Sequence, residues 1–180
     1  MTIETTPIEG LLIIHPKIFN DGRGYFYESW NAKVFRDAGI DEEFVQDNQS
    51  LSQKGVLRGL HFQSPPHAQA KLVRVISGAV LDIAVDIRKN SPTYGKHFAI
   101  ELNGENKIMF FIPKGFAHGF ATLSDNTLFS YKVAGYYNKE SDNTLLWNDT
   151  DLNIDWQISD PLLSQKDLVG KKFRDFTTPF

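Results

Sequence analysis

The sequence predicts a mainly β protein, an antiparallel sandwich or barrel with a few short helices. Two observations support this prediction. Short strand-like runs separated by turn residues dominate the chain, and the 14 phenylalanines favour strand-rich packing. An edge-free barrel or a two-sheet jelly roll accommodates this many strands without leaving long unpaired edges.

Length and composition indicate one domain spanning residues 1–180. The net charge of −3 provides no field that would attract nucleic acid. Because the chain has no cysteine, disulfides, thiolate metal sites and cysteine nucleophiles are excluded. The apolar run Leu11–Ile14 is too short for a signal peptide or a membrane span, so we expect a cytoplasmic protein without membrane contact.

The first elements are predicted from short local patterns. Leu11–His15 and Tyr25–Ser29 read as strands joined by the loop Asn20–Gly24. Asn31–Ala38 reads as a short helix, because Gly39 suits the position just past a helix end.

The central patterns are clearer. In Ala79–Ile87 apolar residues alternate with Asp82, Ala84 and Asp86, which predicts a half-buried strand. Asn103-Gly104 follows another alternating run and predicts a tight hairpin. Further strands are expected at Lys107–Ile112 and Thr127–Val133, and Ser164–Asp167 resembles a capping box.

Polar residues interrupt these strands where a core is expected. Strict alternation would separate Arg58 from His61, but Gly59 between them is a natural site for a bulge that lets both share a pocket. Lys71 shares a strand face with valines, where a lone cation is costly unless it is paired or faces a wet cavity.

Two further candidates lie later in the chain. His118 is held between Phe116 and Phe120, and Tyr131 falls on an apolar strand face. Taken singly, such residues fit packing as well as chemistry. A candidate base, cation and phenol on strands of one small barrel together predict a polar cavity.

Seven motifs, in order from about Asp21 to Asp167, resemble the dTDP-4-dehydrorhamnose 3,5-epimerase family. They are DGRGYFYESW, VQDNQS, LRGLHFQSPP, QAKLVRVISGAVLDIAVDIRKNSPTYG, IPKGFAHGF, LFSYKVAGYYN and LSQKD. The resemblance implies a cupin-type jelly roll that forms a homodimer, with residues about 1–50 contributing to the dimer contact and short helices in about 160–180. It implies an isomerase of dTDP-L-rhamnose biosynthesis that inverts C3 and C5 of dTDP-4-dehydro-6-deoxy-D-glucose without a cofactor.

The resemblance also assigns roles. His61 matches the catalytic base, Asp167 the carboxylate that orients it, Tyr131 the proton donor, and Lys71 the cation near the reacting carbonyl. The substrate-contacting positions fall into three groups: Gln46, Asn48, Arg58 and His118 on the nucleotide sugar, Tyr137 against the substrate, and Arg23, Phe26 and Glu28 reaching the neighbouring subunit's site.

These residue types suit the implied chemistry. A C4 ketone acidifies the hydrogens on C3 and C5, because either carbanion delocalises as an enolate. Histidine, with an unperturbed pKa of about 6.5, can remove such a proton near neutrality. A neutral phenol can return one from the opposite face, and a fixed cation at the enolate oxygen is worth roughly 3–4 kcal/mol.

Metal chemistry is not expected. Cupins often bind metal through an HxH pair, a glutamate and a distant histidine, but here Gln63 follows His61 by two residues, and Lys71 stands where an anionic ligand is expected. The open alternatives are an epimerase acting at one centre of another dTDP-4-keto-6-deoxy sugar, a related ketoisomerase, and a non-enzymatic sugar-binding cupin.

Overall fold

The computed structural model describes residues 1–180. It contains two short α-helices, α1 (Ala32–Asp37) and α2 (Gln165–Leu168), and short 3-10 helices at Lys139–Ser141 and Phe173–Asp175. The strands, in chain order, are β1 (Thr2–Thr5), β2 (Leu12–His15), β3 (Phe19–Asp21), β4 (Gly24–Phe26), β5 (Phe44–Ser52), β6 (Leu57–Gln63), β7 (Lys71–Ser77), β8 (Ala79–Asp86), β9 (His97–Asn103), β10 (Met109–Ile112), β11 (Phe116–Thr122), β12 (Thr127–Ala134) and β13 (Asp142–Thr144). None of the helices is long and apolar enough to cross a membrane.

Two antiparallel sheets form the body of the molecule. A six-stranded sheet has the order β1-β2-β10-β7-β12-β5, and a five-stranded sheet has the order β13-β6-β11-β8-β9. Both contribute to one interior cluster, with Val73 and Phe110 from the first sheet and Val80 and Phe120 from the second. The expected jelly-roll arrangement of packed antiparallel sheets is therefore present.

Further apolar clusters cover the outer faces of the sheets. Leu145, Leu152 and Trp156 from the C-terminal third pack on the outside of the five-stranded sheet. Phe35 of α1 packs with Met109 on the outside of the six-stranded sheet. Because the C-terminal third covers the five-stranded sheet, that sheet is buried on both faces.

This covering corrects the expectation for β8. Leu81, Ile83 and Val85 pack in the outer cluster, while Val80 and Ala84 pack in the interior one. Asp82 and Asp86, expected on an open polar face, are fully buried. The strand is therefore buried on both sides, and each carboxylate needs partners inside the protein.

Local signals for the helices are confirmed. Asn31 caps α1, its side chain accepting a hydrogen bond from the Val34 amide, and Gly39 follows the helix with a φ of +89°. Ser164 caps α2 by accepting from the Asp167 amide. Both short helices are thus fixed by side-chain caps at their first turn.

The tight hairpin predicted at Asn103-Gly104 is wrong. β9 pairs with β8, whereas β10 pairs with β2 and β7, so this connection carries the chain from one sheet to the other. The loop continues to Lys107, which adopts a φ of +54°. The turn and the strand after it were predicted, but the sequence did not indicate that this strand pairs in the other sheet.

A separate β-hairpin forms no strand pairs with the two sheets. β3 and β4 pair only with each other, and Phe19, Tyr25 and Phe26 on them are exposed. The strand expected at Tyr25–Ser29 is therefore shorter and starts earlier. Three exposed aromatic rings on one small hairpin form an apolar surface, which is typical of a protein–protein contact site.

Candidate active site

A polar cavity lies between the two sheets. His61, Lys71 and Tyr131 line both of its lobes. The inner lobe, of about 220 Å³, is completed by Ser50, Arg58, His118, Phe120, Phe129, Ser164 and Asp167. The outer lobe, of about 320 Å³, is completed by Gln46, Asn48, Phe62, Gln63, Gln69, Val133, Tyr137, Asp142 and Lys166. The predicted base, cation and phenol thus share one cavity.

A bulge in β6 brings Arg58 and His61 into the same lobe. His118 lies opposite His61 and Phe120 lies opposite Arg58, so two residues of β6 face the single residue Gly119. Gly59 has a φ of +139°, and a Cβ there would lie 2.5 Å from the Gly119 Cα. The predicted bulge at Gly59 is confirmed, and only glycine fits it.

His61 is held by a buried carboxylate. Its Nε2 lies 2.6 Å from Asp167 Oδ1, and Asp167 is only 2% exposed. The Ser164 hydroxyl donates to Oδ2 at 2.6 Å and the Gly59 amide donates to Oδ1 at 3.3 Å. Burial opposes ionisation of Asp167, but hydrogen bonds from His61 and Ser164 hold its pKa below the usual value.

This pairing fixes the orientation and tautomer of the ring. Because an ionised carboxylate only accepts hydrogen bonds, the proton of a neutral His61 imidazole resides on Nε2. Nδ1 then carries a free lone pair. An imidazole oriented in this way by a carboxylate can act as a general base through Nδ1.

Tyr131 lies on the interior face of β12 in the same cavity. Burial raises the pKa of its phenol, although the charge of Arg58 and a hydrogen bond with Asn48 partly offset this effect. The phenol is therefore neutral at physiological pH. A neutral phenol facing a cavity that also holds an imidazole can serve as a proton donor.

Lys71 supplies the cation. Burial lowers the pKa of its ammonium and the negative charges of Asp82 and Asp142 offset this only in part, so the pKa lies at about 8. Its Nζ lies 3.4 Å from the His61 carbonyl oxygen, beside the base. Since about 8 is above neutral pH, the group remains mostly protonated and can stabilise negative charge that develops on a nearby oxygen.

The outer lobe combines charge and aromatic surface. Lys166 Nζ lies 2.5 Å from Asp142 Oδ2, and the exposed Tyr137 donates its hydroxyl to the same oxygen at 3.2 Å. Gln46 donates to Asn48 at 2.8 Å. The outer lobe therefore presents amides, an ion pair and one aromatic ring to a polar ligand.

Comparison with known proteins identifies the family. The family model described as dTDP-4-dehydrorhamnose 3,5-epimerase matches residues 5–175. The chain belongs to the dTDP-4-dehydrorhamnose 3,5-epimerase family. It is 53% identical over 176 residues to the dTDP-4-dehydrorhamnose 3,5-epimerase of Shigella flexneri, covering 97% of each chain. The family is one of isomerases, as the sequence indicated.

Solved structures of the epimerase family share the fold. The 3,5-epimerase of Legionella pneumophila, in complex with dTDP-4-keto-L-rhamnose, aligns with a TM-score of 0.93 at 51% identity, covering 96% of this chain and 93% of that one. A 3'-monoepimerase from Streptomyces bikiniensis, in complex with dTDP-quinovose, aligns with a TM-score of 0.88 at 30% identity, covering 94% and 87%. The cupin-type jelly roll is thereby confirmed.

Three residues that the epimerase motifs assign to the substrate do not reach the cavity of their own chain. Arg23 and Phe26 lie on the exposed β3–β4 hairpin, and Arg23 pairs with Asp21 at 2.6 Å. Glu28 follows the hairpin and receives a hydrogen bond from Asn31. Their predicted contact is with a neighbouring subunit's site, which lies outside a single chain.

Sequence reasoning missed three residues of the site. Asp82 was read as part of an open strand face, but it binds His118. Asp142 carried no motif that marked it. Lys166 lies inside the LSQKD motif, but the motif assigned a role only to the neighbouring Asp167.

The cavity does not offer a metal-ligand set. No three histidine, aspartate or glutamate side chains converge where they could hold an ion. His61 and His118 each present one ring nitrogen to an aspartate, and Lys71 adds a positive charge beside them. A site built from one carboxylate per imidazole and an ammonium does not suit a divalent cation.

Proposed function

We propose that the chain inverts both C3 and C5 of dTDP-4-dehydro-6-deoxy-D-glucose, giving dTDP-4-dehydro-L-rhamnose for dTDP-L-rhamnose biosynthesis. One observation carries this proposal. A carboxylate-oriented imidazole, a neutral phenol and an ammonium line a single cavity. Those three groups are the ones that proton removal and return next to a ketone require.

In the proposed first step, His61 Nδ1 removes the proton from C3 or C5. The electron pair of the C–H bond passes to the C4 carbonyl, and the resulting enolate oxygen is stabilised by Lys71. Tyr131 then donates its proton to the same carbon from the opposite face. The imidazolium and phenolate left behind exchange protons with solvent, so the enzyme returns to its starting state and repeats the cycle at the second carbon.

No cofactor or metal enters this scheme. The C4 ketone already provides the electron sink, and no bond to hydrogen is broken as a hydride. Lys71 supplies the positive charge that a metal ion would otherwise provide. We therefore propose a reaction that depends only on side chains of the protein.

The nucleotide portion of the substrate carries a diphosphate and a thymine. Arg58 lies in the inner lobe and Lys166 in the outer lobe, so both could pair with phosphate oxygens. Tyr137 exposes its ring at the outer lobe, where it can stack on the base. Gln46 and Asn48, which also line the outer lobe, supply amide groups.

We also propose a homodimer in which the β3–β4 hairpin of one subunit completes the cavity of the other. Its exposed aromatic rings and the exposed Arg23 support this arrangement. Subunit complementation tests it, and we expect Arg23→Ala and His61→Ala each to be inactive alone. Mixed and reassociated, they recover about a quarter of wild-type activity, because half of the random dimers contain one intact site. Absence of recovery in verified mixed dimers would contradict a shared site.

Proton NMR in heavy water tests the reaction itself. With the 4-keto-6-deoxyglucose nucleotide as substrate, we expect deuterium at both C3 and C5 and a product with both centres inverted. The same experiment distinguishes epimerisation at one carbon from epimerisation at two, which matters because a 3'-monoepimerase shares this fold. Deuterium at only one carbon would support that alternative, and no deuterium would support a sugar-binding protein.

A further inference from the structure

A charge-assisted hydrogen bond connects the base of the β3–β4 hairpin to β7. Tyr27 follows β4 directly and is half-buried, whereas Tyr25 and Phe26 on the hairpin are more than half exposed. Arg74 Nη1 donates a hydrogen bond to the Tyr27 hydroxyl at 2.9 Å, and no other side-chain hydrogen bond or ion pair involves Arg74. The Tyr27 hydroxyl is therefore the single polar side-chain partner of this guanidinium.

Arg74 lies on the outer face of the six-stranded sheet, behind the polar cavity. Residues of β7 alternate between the two faces, so Lys71 points into the polar cavity while Leu72 and Arg74 point outward. On the outer face Arg74 lines a small cavity of about 100 Å³ together with Ser29 and Trp30, which continue the chain from the hairpin. Arg74 is therefore placed to act on the hairpin and not on the polar cavity of its own chain.

A second cation supports the same hairpin. Lys107 Nζ lies 4.2 Å from the centroid of the Tyr25 ring and donates a hydrogen bond to the Gly104 carbonyl at 2.9 Å. The rings of Tyr25 and Tyr27 are stacked, with centroids 6.0 Å apart. A cation over the face of an aromatic ring is attracted by the ring quadrupole, so the contact favours one orientation of the ring. The two tyrosines thus connect the hairpin to two cations of the body of the chain.

We propose that Arg74 is a positioning residue that sets the direction of the β3–β4 hairpin through the Tyr27 hydroxyl, and thereby the affinity of the neighbouring subunit's cavity for the nucleotide. This inference rests on the proposed function, in which the hairpin of one subunit completes the cavity of the other. Arg74 itself contacts no substrate. Its loss should impair the cavity of the neighbouring subunit and spare the cavity of its own chain.

The chemistry of the contact supports a positioning role. A half-buried guanidinium is usually paired with a carboxylate, but Asp47, which lines the same small cavity, binds Lys132 at 2.7 Å. Arg74 is thus left to the neutral Tyr27 hydroxyl. Because the guanidinium is planar and rigid, a hydrogen bond from it constrains the direction of its partner as well as the distance.

Substitution of both partners of the hydrogen bond provides the first test. We expect Arg74→Met to raise the KM for deuterium exchange at C5 about 5- to 20-fold, with kcat within about 2-fold of wild type. Calorimetric titration with dTDP should show a similar loss of affinity. Tyr27→Phe keeps the ring but lacks the acceptor, so it should have the same effect, and the double variant should exceed either single variant by about 2-fold at most. Effects that multiply would overturn the proposal.

Mixed dimers, isolated by two different affinity tags, show in which cavity Arg74 acts. When an Arg74→Met subunit is paired with a His61→Ala subunit, the one working cavity receives an intact hairpin, so its KM should equal that of wild type. When a wild-type subunit is paired with a subunit that carries both substitutions, the working cavity receives the altered hairpin, and KM should rise about 5- to 20-fold. Any other pattern would overturn the proposal, because Arg74 would then not act across the dimer.

Arg36→Met is the matched control. Arg36 lies on α1 and binds Asp41 at 2.9 Å, so its removal takes away an arginine contact outside the hairpin and should leave KM and dTDP affinity unchanged. Dissociation of Arg74→Met into monomers, measured by sedimentation, would overturn the proposal, since it would assign Arg74 to the dimer contact itself. If wild type exchanges no deuterium, the proposed function fails, whereas the dTDP titrations still decide whether the contact between Arg74 and Tyr27 controls nucleotide binding.

Discussion

Asp167 holds His61 across 106 residues of sequence, with Oδ1 2.6 Å from Nε2. The carboxylate reaches the ring because the capped helix α2 packs beside the bulge of β6. Both partners depend on local devices, a serine cap on one side and a glycine bulge on the other. The orientation of the proposed base therefore depends on two separate backbone features, the capped helix α2 and the bulge of β6.

Asp167→Asn should leave the fold intact and reduce kcat by about 10²–10⁴-fold. The amide retains the volume and can still bond to Ser164, but it no longer requires the ring proton to stay on Nε2. Thermal unfolding and the rate of C5 deuterium exchange measure the two effects separately. The exposed Asp160→Asn serves as the control, and equal activity in both variants would contradict the orienting role.

The alkaline limb of the pH–rate profile should reflect Lys71. Because burial lowers its pKa to about 8, the ammonium loses its proton above that pH and the enolate loses its stabilising charge. We expect kcat to fall above pH about 8. In Lys71→Arg, whose guanidinium stays charged, residual activity should not show this limb. A limb at the same pH in both proteins would assign it to another group.

The same lowered pKa has a consequence for stability. Folded Lys71 binds fewer protons than the unfolded chain between pH about 8 and the usual lysine pKa of 10.5, so the free energy of unfolding should rise with pH in that window. Relative to Lys71→Met, which lacks the group, wild type should gain about 2–3 kcal/mol across it. Denaturant unfolding at pH 7.5 and pH 10.5 measures the difference, and parallel behaviour of the two proteins would contradict it.

Gly59→Ala tests the bulge. The added Cβ would lie 2.5 Å from the Gly119 backbone in a conformation that L residues rarely adopt, so we expect a loss of about 2–4 kcal/mol in stability. Activity should fall as well, because the bulge aims His61. Gly39→Ala has a similar positive φ but open space around it, and should cost about 1–2 kcal/mol with activity retained. Equal losses in both variants would show that only backbone strain matters.

The sequence predicted the elements better than their connections. The end of α1 at Gly39, the Ser164 cap and the bulge at Gly59 are local features, and each was predicted from the residues alone. The Asn103-Gly104 connection was misread because the alternation that precedes it carries no information about which sheet receives the next strand.

The site could be predicted only in part. The motifs led to His61, Lys71 and Tyr131, which share a cavity. Asp82 was missed because an aspartate on an alternating strand normally faces water, whereas here the apolar alternation of β8 packs under the C-terminal third and Asp82 lies on the interior face with Ala84. The homodimer, the cytoplasmic location and the individual residue roles stay predictions.

We propose that His61 and Tyr131 act on opposite faces of one sugar ring. Deuterium NMR of His61→Ala and Tyr131→Phe with the 4-keto-6-deoxyglucose nucleotide tests it most directly. We expect His61→Ala to incorporate almost no deuterium, and Tyr131→Phe to incorporate deuterium without inversion, because the base can return a solvent-derived proton to the face from which it removed one. Exchange at the wild-type rate in His61→Ala, or normal inversion in Tyr131→Phe, would contradict the account.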